Sequence, residues 1–426
     1  MTTDQLHIHT ISDHLFRHEA GKMVAVLTKV FGTENLELSE DVVQEVFLTA
    51  VQVWALKGLP ENPSAWLMHA AKNKAIDAIR RNKFSSRMDF SATDRKLLQS
   101  EYTMATQIEK LWQEDEIRDD LLRMMFACCH PEVAVESQIT LIMKTLCGFS
   151  THEIAKAFLT SHDTISKRLY RTKAFYRERK IKPEFPAADQ LKGRTDAVLK
   201  AIYLLFNEGY NSTVSDQLIR KDLLGQAMYL CKLLCDTPHT QLPEVYAAMA
   251  LMCLHAARIN SRVSPEGELI LLAHQDRATW DRELIREGNA YLNKAAFGES
   301  ISSYHIEAAI AYEHCTTIDF NDTNWQRILA YYDLLVQVTP TAMVALNRLA
   351  VIFKLKGPGA TFEEIAQSGF TKEWEKLYLY HSLLGELYLA TDTAQAVTHL
   401  QKAISLTNSE AEKNLLRKKV AHAQQV

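Results

Sequence analysis

The chain has 426 residues, 47% hydrophobic and 23% charged, with a formal net charge of −4; that balance supports buried cores and excludes disorder throughout. Its 14 glycines and 10 prolines are about half the usual share of these two breakers, so helix is favoured. The longest apolar run, Tyr246 to Leu254, is well short of the roughly 20 residues that span a bilayer, and MTTDQLHIHT has no signal-peptide core. A cytoplasmic protein with no membrane association is the expectation.

Taken in chain order, apolar spacing is helical from Ile11 to Asn82, with breaks near Gly32 to Asn35 and Lys57 to Pro63. Asn82 to Gln113 is polar, begins with a Ser-rich FSSRMDFSATD, and reads as a linker. A second helical unit runs from about Leu111 to Lys182, closed by Pro183 and Pro186. From Leu191 onward, helical segments alternate with breaks at Cys235 to Gln241, Ile259 to Glu266 and Lys356 to Ala360. No alternating strand pattern persists, so the expected fold is all-α. Near the end, Leu384, Gly385 and Tyr388, then Ala394, Ala396, Leu400, Ala403 and Leu406, form a small-and-large pattern resembling a tetratricopeptide helix pair of about 34 residues.

Charge is uninformative globally and informative locally. Ala70 to Arg87 carries six basic residues and one acidic; Ser150 to Lys182 carries nine basic and three acidic. These two islands are places where phosphates could be met.

Before the first island, Glu40 to Trp54 wound at 100° per residue places Val43, Val46, Phe47, Ala50 and Trp54 on one face. Asp41, Gln44 and Glu45 fall on the opposite one, which by periodicity alone is a solvated surface. The next helix opens at Asn62-Pro63, an N-cap and first-turn pair. Met68, Ala71, Ala75, Ala78 and Ile79 form its buried face. Trp66, Asn73, Asp77, Arg80 and Arg81 fall on the other side, where an aromatic face above polar and basic groups suits unpaired bases, or where they are flanking core and ordinary surface.

In the second island, Ser150 and Glu153 make a capping box opening THEIAKAFL, and after Thr160-Ser161 the helix HDTISKRLYRTKAFYRERK begins. Ile165, Leu169, Thr172 and Tyr176 face inward. Thr164, Ser166, Lys167, Arg171 and Arg177 face outward, with Arg168 at the border. A second helix with a polar, basic outer face is helix-turn-helix logic, with arginine able to read guanine and lysine neutralising phosphate. The turn has no glycine, unlike many such motifs.

DVVQEVF resembles the DxxQExF stretch of bacterial sigma factors, and WLxxxAxNxAIDxIRR looks like the promoter −10 segment of the extracytoplasmic-function type. GFSTHEIAKAFLTSHDTISKRLYRTKAFYRE looks like sigma domain four. The resemblance implies that Asp41, Gln44, Glu45 and the hydrophobic Phe47 bind the clamp helices of the largest RNA polymerase subunit. It implies that Trp66, Asn73, Asp77, Arg80 and Arg81 hold the melted −10 strand, with the loop from Gly58 to Asn62. Thr164, Lys167, Arg168 and Arg171 would dock the −35 duplex, and this domain would also meet the flap of the second-largest subunit.

The expected division is sigma domain two over 10–82, a linker over 83–113, sigma domain four over 114–182, and a tetratricopeptide-like regulatory extension over 191–426. AIYLLFNEGYNST, GELILLAHQDRATWDRELI and ALNRLAVIFKLKGPGA, with FACCHPEV earlier, resemble a subgroup carrying such an extension. As a family implication, it regulates the sigma unit in cis, and a small DGPF (YCII-related) protein is a partner. Read from the residues alone, Asn207 to Tyr210 and the cluster Asp276, Arg277, Trp280, Asp281 and Arg282 are helix caps and inter-helix ion pairs.

Other chemistry finds no apparatus. Cys128, Cys129 and His130 point in different directions and lack a second ligand pair, and Cys231 with Cys235 supplies only two ligands. The seven cysteines read as reduced thiols. Gly21-Lys22 lacks the earlier glycine of a phosphate-binding loop, and neither G-x-S-x-G nor H-E-x-x-H occurs. No enzyme activity, metal or cofactor is expected. Two other readings compete: a stand-alone helix-turn-helix regulator with a helical sensing domain, and a helical scaffold that binds only proteins. The first leaves DVVQEVF and the Trp66 helix unexplained; the second ignores both basic islands.

Overall fold

The computed structural model describes residues 3–85, 111–158, 160–211, 218–265, 267–389 and 391–424, the side chains of residues 3–14, 17, 80–85, 114, 156–157 and 188 excepted. Its named elements are helices, as expected; the one extended pairing among the described residues is an isolated bridge between Val263 and Leu269. Packing divides the chain into two compact units, Met1–Leu205 with Gly225–Leu234, and Phe206–Leu224 with Cys235–Val426.

The first unit begins with α1 (Thr3–Phe31), α2 (Leu36–Lys57) and α3 (Pro63–Ser85). Apolar residues at helical spacing drive their association: Met23 and Leu27 of α1, Val46 and Trp54 of α2, and Leu67, Ala71, Ala75 and Ile79 of α3 are buried. Leu67, rather than the expected Met68, fills the first of these positions on α3; Met68 lies at the edge of the stripe, half-buried. Asn62 caps α3, its Oδ1 accepting from the Ala65 amide at 3.0 Å, and Pro63 fills the first helical position, as expected. Of the linker expected over 83–113, the first residues to Ser85 continue α3, and residues 86–110, with most of the Ser-rich stretch, lie outside the described residues.

The same unit continues through α4 (Glu114–Cys128), α5 (Val135–Thr145), α6 (Thr151–Ala157) and α7 (His162–Arg179). The expected capping box is present: Ser150 donates from its amide and hydroxyl to Glu153 Oε2 at 2.9 and 2.8 Å. In return, the Glu153 amide donates to Ser150 Oγ at 3.2 Å. Ser161 caps α7, accepting from the Thr164 amide at 3.2 Å. Ile165, Leu169, Thr172 and Tyr176 are buried, as the periodicity predicts, and Tyr176 donates its hydroxyl to the Ala127 carbonyl at 2.6 Å.

Helix α1 packs against α2, α3, α4 and α5. Lys29 of α1 lies 2.7 Å from Asp120 and 3.2 Å from Glu116 of α4. Gly21 permits a closer approach: a Cβ there would fall on the Leu146 carbonyl oxygen, just past α5. Next come α8 (Ala188–Tyr210) and α9 (Lys221–Asp236).

In the second unit, α10 (Pro243–Ala256) is buried nearly all round and packs against α11 (Arg282–Ala295) and α12 (Ser303–Thr316). Ile306 and Ile310 of α12 share a core with Ile328 and Leu335 of α13 (Trp325–Val338) and Val351 of α14 (Ala342–Gln367). The expected break at Lys356 to Ala360 is a kink inside α14: Gly357 has φ +79° and Pro358 donates no hydrogen bond. After the single turn α15 (Thr371–Trp374), α16 (Tyr378–Tyr388) and α17 (Thr393–Leu406) form a helical hairpin, and α18 (Glu410–Ala423) packs on α17. Leu384, Gly385, Ala396, Leu400 and Ala403 of the small-and-large pattern are buried there, whereas Ala394 faces solvent.

Candidate nucleic-acid interface

Helix α2 sorts its side chains by the i, i+3, i+4 rule. Val42, Val43, Val46, Phe47, Ala50 and Trp54 are buried, and Asp41, Gln44 and Glu45 are exposed on the other side. Glu45 Oε2 stands 2.8 Å from Lys74 Nζ, so the acidic face of α2 is joined to the basic island on α3. Phe47 does not belong to this surface. It is 6% exposed and meets Phe16 edge-on at 4.8 Å, because its spacing from Val43, Val46 and Ala50 puts it in the core stripe. The apolar residue on the outer face is Leu48, 64% exposed and two turns after Asp41. Sequence reading missed it, although the seven-residue spacing carried the signal.

On α3, Asn73 and Asp77 are exposed, whereas the Arg80 and Arg81 side chains lie outside the described residues. Trp66 is half-buried instead of standing free: it meets the buried Trp54 edge-on at 5.5 Å. Apolar ring area is better covered by a neighbouring indole than left in water, so only part of this ring is available to a base. The preceding loop, Gly58 to Asn62, is largely exposed.

On α7, Lys167 and Arg171 are exposed, and so is Thr164, whose Oγ1 lies 2.8 Å from Ser161 Oγ in the cap. Arg168 departs from the expected role. Its guanidinium donates to Thr140 Oγ1 at 3.2 Å and lies 5.4 Å over the Phe158 ring, which ties α7 to α5. A guanidinium so engaged at the helix border supports packing, and its apolar stem adds to it. Tyr170, 69% exposed beside Arg171, is the group the sequence reading did not single out. The outer surface of α7 is thus Lys167, Tyr170 and Arg171, a phosphate-binding and base-contacting set of residue types.

The basic residues further along α7 have acidic partners on α2. Lys173 Nζ lies 2.5 Å from Glu40 Oε2, and Arg177 lies 2.9 Å from Glu37. Thr33, between α1 and α2, donates to the Ile181 carbonyl just beyond α7. Arg177, expected to point outward, therefore contributes to this contact instead of to a nucleic-acid surface.

The seven cysteines are all buried thiols. Burial pushes the Cys128 thiol up to about 12, so it stays protonated at neutral pH. Among the described residues no group of three His, Cys, Asp or Glu side chains could hold a metal, and no helix is long and apolar enough to cross a membrane.

Comparison with known proteins adds two family matches. Residues 15–85 match sigma-70 region 2, and residues 194–296 match a family of unknown function, DUF6596. The chain is 31% identical over 389 residues to "Uncharacterized protein R00370" of Rhizobium meliloti (strain 1021), covering 91% of this chain and 90% of that one. No solved structure matches the chain.

Proposed function

The chain belongs to one family with the Rhizobium meliloti protein R00370, and we propose that it is a sigma factor of the extracytoplasmic-function type whose C-terminal part regulates it in cis. Its sigma-70 region 2 implies a sigma-factor-like role in transcription initiation, with RNA polymerase core and promoter DNA as partners. The observation that carries the finer reading is the joint occurrence of this region with a capped helix-turn-helix whose second helix bears Lys167, Tyr170 and Arg171 outward.

In this reading Asp41, Gln44, Glu45 and Leu48 meet the clamp helices of the largest polymerase subunit. Trp66, Asn73, Asp77, Arg80 and Arg81 hold the melted −10 strand, the half-buried indole offering one edge to a base. Thr164, Lys167 and Arg171 dock the −35 duplex, Tyr170 adds to them, and Arg168 positions the helix. Affinity comes largely from phosphates and specificity from bases, so promoter binding falls steeply as salt rises. Polymerase supplies the catalysis, in keeping with the non-enzymatic character of sigma-70 region 2 proteins.

Domains two and four span 10–82 and 114–182, and the helical hairpins of 191–426 act as a tetratricopeptide-like regulator. A small DGPF protein is its proposed partner, by family resemblance. The competing reading is a stand-alone helix-turn-helix regulator. Run-off transcription by purified bacterial core polymerase on a genomic promoter pool separates the two: a sigma factor initiates at discrete sites. Absence of both initiation and core binding would sink the proposal and leave the stand-alone regulator as the better account. Removal of residues 237–426 tests cis regulation while retaining Gly225–Leu234, which packs in the first unit. Altered output supports it, and unchanged output rejects it.

A further inference from the structure

The two polar clusters that the sequence reading assigned to caps and ion pairs come together around one residue, Arg258, just after α10. Its Nη2 donates to the Tyr210 hydroxyl at 2.6 Å, and its guanidinium lies 5.8 Å from the centre of the Trp280 ring. Arg262 lies 3.7 Å over the Tyr210 ring and donates to the Tyr210 carbonyl. Arg277 lies 4.7 Å over the Trp280 ring and donates from Nη1 to the His314 carbonyl at 2.6 Å and the Thr317 carbonyl at 2.9 Å. Trp280 is fixed in turn, donating Nε1 to Ser261 Oγ at 2.7 Å.

Three guanidiniums thus share two aromatic faces, with two imidazoles alongside: His255 lies 5.1 Å from Tyr210, and His314 ends α12. These groups sense one another's charge. Burial lowers the His255 pKa, and so do Arg258, Arg262 and His314; burial lowers that of His314, and so do Arg258 and Arg277. Both imidazoles are neutral near pH 7, which leaves the positive charge on the arginines.

Like charges brought together away from water repel and lose hydration, and such clusters occur where a countercharge meets them. Among the described residues no carboxylate forms an ion pair with Arg258, Arg262 or Arg277; Asp319 and Asp322 act on Arg277 only through longer-range attraction. Polar capacity is also left over. Arg277 is 7% exposed, yet its Nη2 has no hydrogen-bond partner, and neither do His255 Nδ1 and His314 Nδ1. Arg258 and Arg262 are only half-buried, so an incoming group can reach them.

We propose that Arg258, Arg262 and Arg277 form a binding site for a small dianionic oxyanion, inorganic phosphate or a phosphate monoester. A guanidinium presents paired N–H donors that match phosphate oxygens, and stacking on Tyr210 and Trp280 holds two forks in place before the ligand arrives. Two negative charges balance three fixed positive ones better than a monocarboxylate does. The site lies largely within residues 194–296, which match the family of unknown function, and it does not depend on the sigma-factor reading.

Calorimetry on the full chain at constant ionic strength tests this, with inorganic phosphate, sulfate and acetate as probes. Phosphate and sulfate are expected to bind saturably with Kd of about 1 mM or tighter, and acetate at least about tenfold more weakly. Arg258→Met should weaken phosphate by at least about tenfold, and Arg262→Lys, which keeps the charge but loses the fork, by severalfold. Arg286→Met, at an exposed arginine paired with Glu283, should change nothing. Absence of saturable phosphate binding by the unaltered chain overturns the proposal even if Arg258→Met fails to fold. So does equal phosphate affinity in Arg262→Lys, or acetate binding as tightly as phosphate.

Discussion

Lys173 of α7 and Glu40 of α2, the helix that carries Asp41, form an ion pair of 2.5 Å across 133 residues of sequence, with only 13% and 11% of their side chains exposed. Such a pair is held by its surroundings more than by its own attraction, and losing one partner leaves a charge in a place of low polarity. Lys173→Met should therefore lower the unfolding free energy by about 2 kcal/mol, and a double-mutant cycle with Glu40→Gln should return a coupling of about 1–3 kcal/mol. Urea unfolding of the full chain measures both; additive losses would show that the pair is not coupled.

Close approach at Gly21 tests a second contact of the first unit, that of α1 with the segment after α5. Gly21→Ala would place a methyl group on the Leu146 carbonyl oxygen, a backbone atom that cannot rotate away. A loss of about 1–3 kcal/mol is expected despite alanine's better helix propensity. A stabilised variant in thermal unfolding would contradict the packing of α1 on the segment after α5.

Surface and core positions on α2 should separate cleanly. Asp41→Lys is expected to abolish co-purification with core polymerase while changing stability by less than about 0.5 kcal/mol. Phe47→Ala is expected to cost about 3–5 kcal/mol through the cavity left beside Phe16. Pull-down and denaturation on the same preparations distinguish the two effects, and retained core binding by a well-folded Asp41→Lys protein would exclude this face as the contact.

The arginines of α7 should differ in kind. Arg171→Ala is expected to reduce the slope of log affinity for promoter duplex against log salt by about 0.9 and leave unfolding unchanged. Arg168→Ala should lower stability by about 1–2 kcal/mol, since it loses the Thr140 hydrogen bond and the Phe158 contact. If the salt slope followed Arg168 and the stability loss followed Arg171, both roles would be refuted.

Acid sensitivity should follow from the imidazoles of the second unit. Burial, then Arg258 and Arg277, pushes the His314 pKa down from 6.5 to about 3. Its folded value is thus below its unfolded one, so the unfolded chain takes up the proton first as pH falls. His314 contributes its full stability above about pH 6.5 and loses it progressively down to about pH 3, at about 1.4 kcal/mol per pH unit. His314→Phe keeps the ring beside Trp325 and removes the titration. The difference in pH dependence between the two proteins, followed by urea unfolding between about pH 4 and 6, should equal one proton. Parallel curves would show that His314 is not held neutral.

Local physics made much of this protein legible from its residues. A period of 3.6 placed Val43, Val46, Ala50 and Trp54 inward and Asp41, Gln44 and Glu45 outward, and the capping signals at Asn62 and at Ser150 with Glu153 operate within a single turn of helix. These depend on neighbours three or four positions away, which any reader of the chain can count. The tertiary structure alone decided that Trp66 leans on Trp54, that Arg168 is taken up by Thr140 and Phe158, and that Arg177 turns to Glu37. It also gathered Tyr210, Arg258, Arg262, Arg277 and Trp280 into one basic cluster. Apart from Arg277 with Trp280, those partners lie from 10 to 140 residues apart, and which helix faces come together is set by how whole cores pack, a many-body result that no local period encodes.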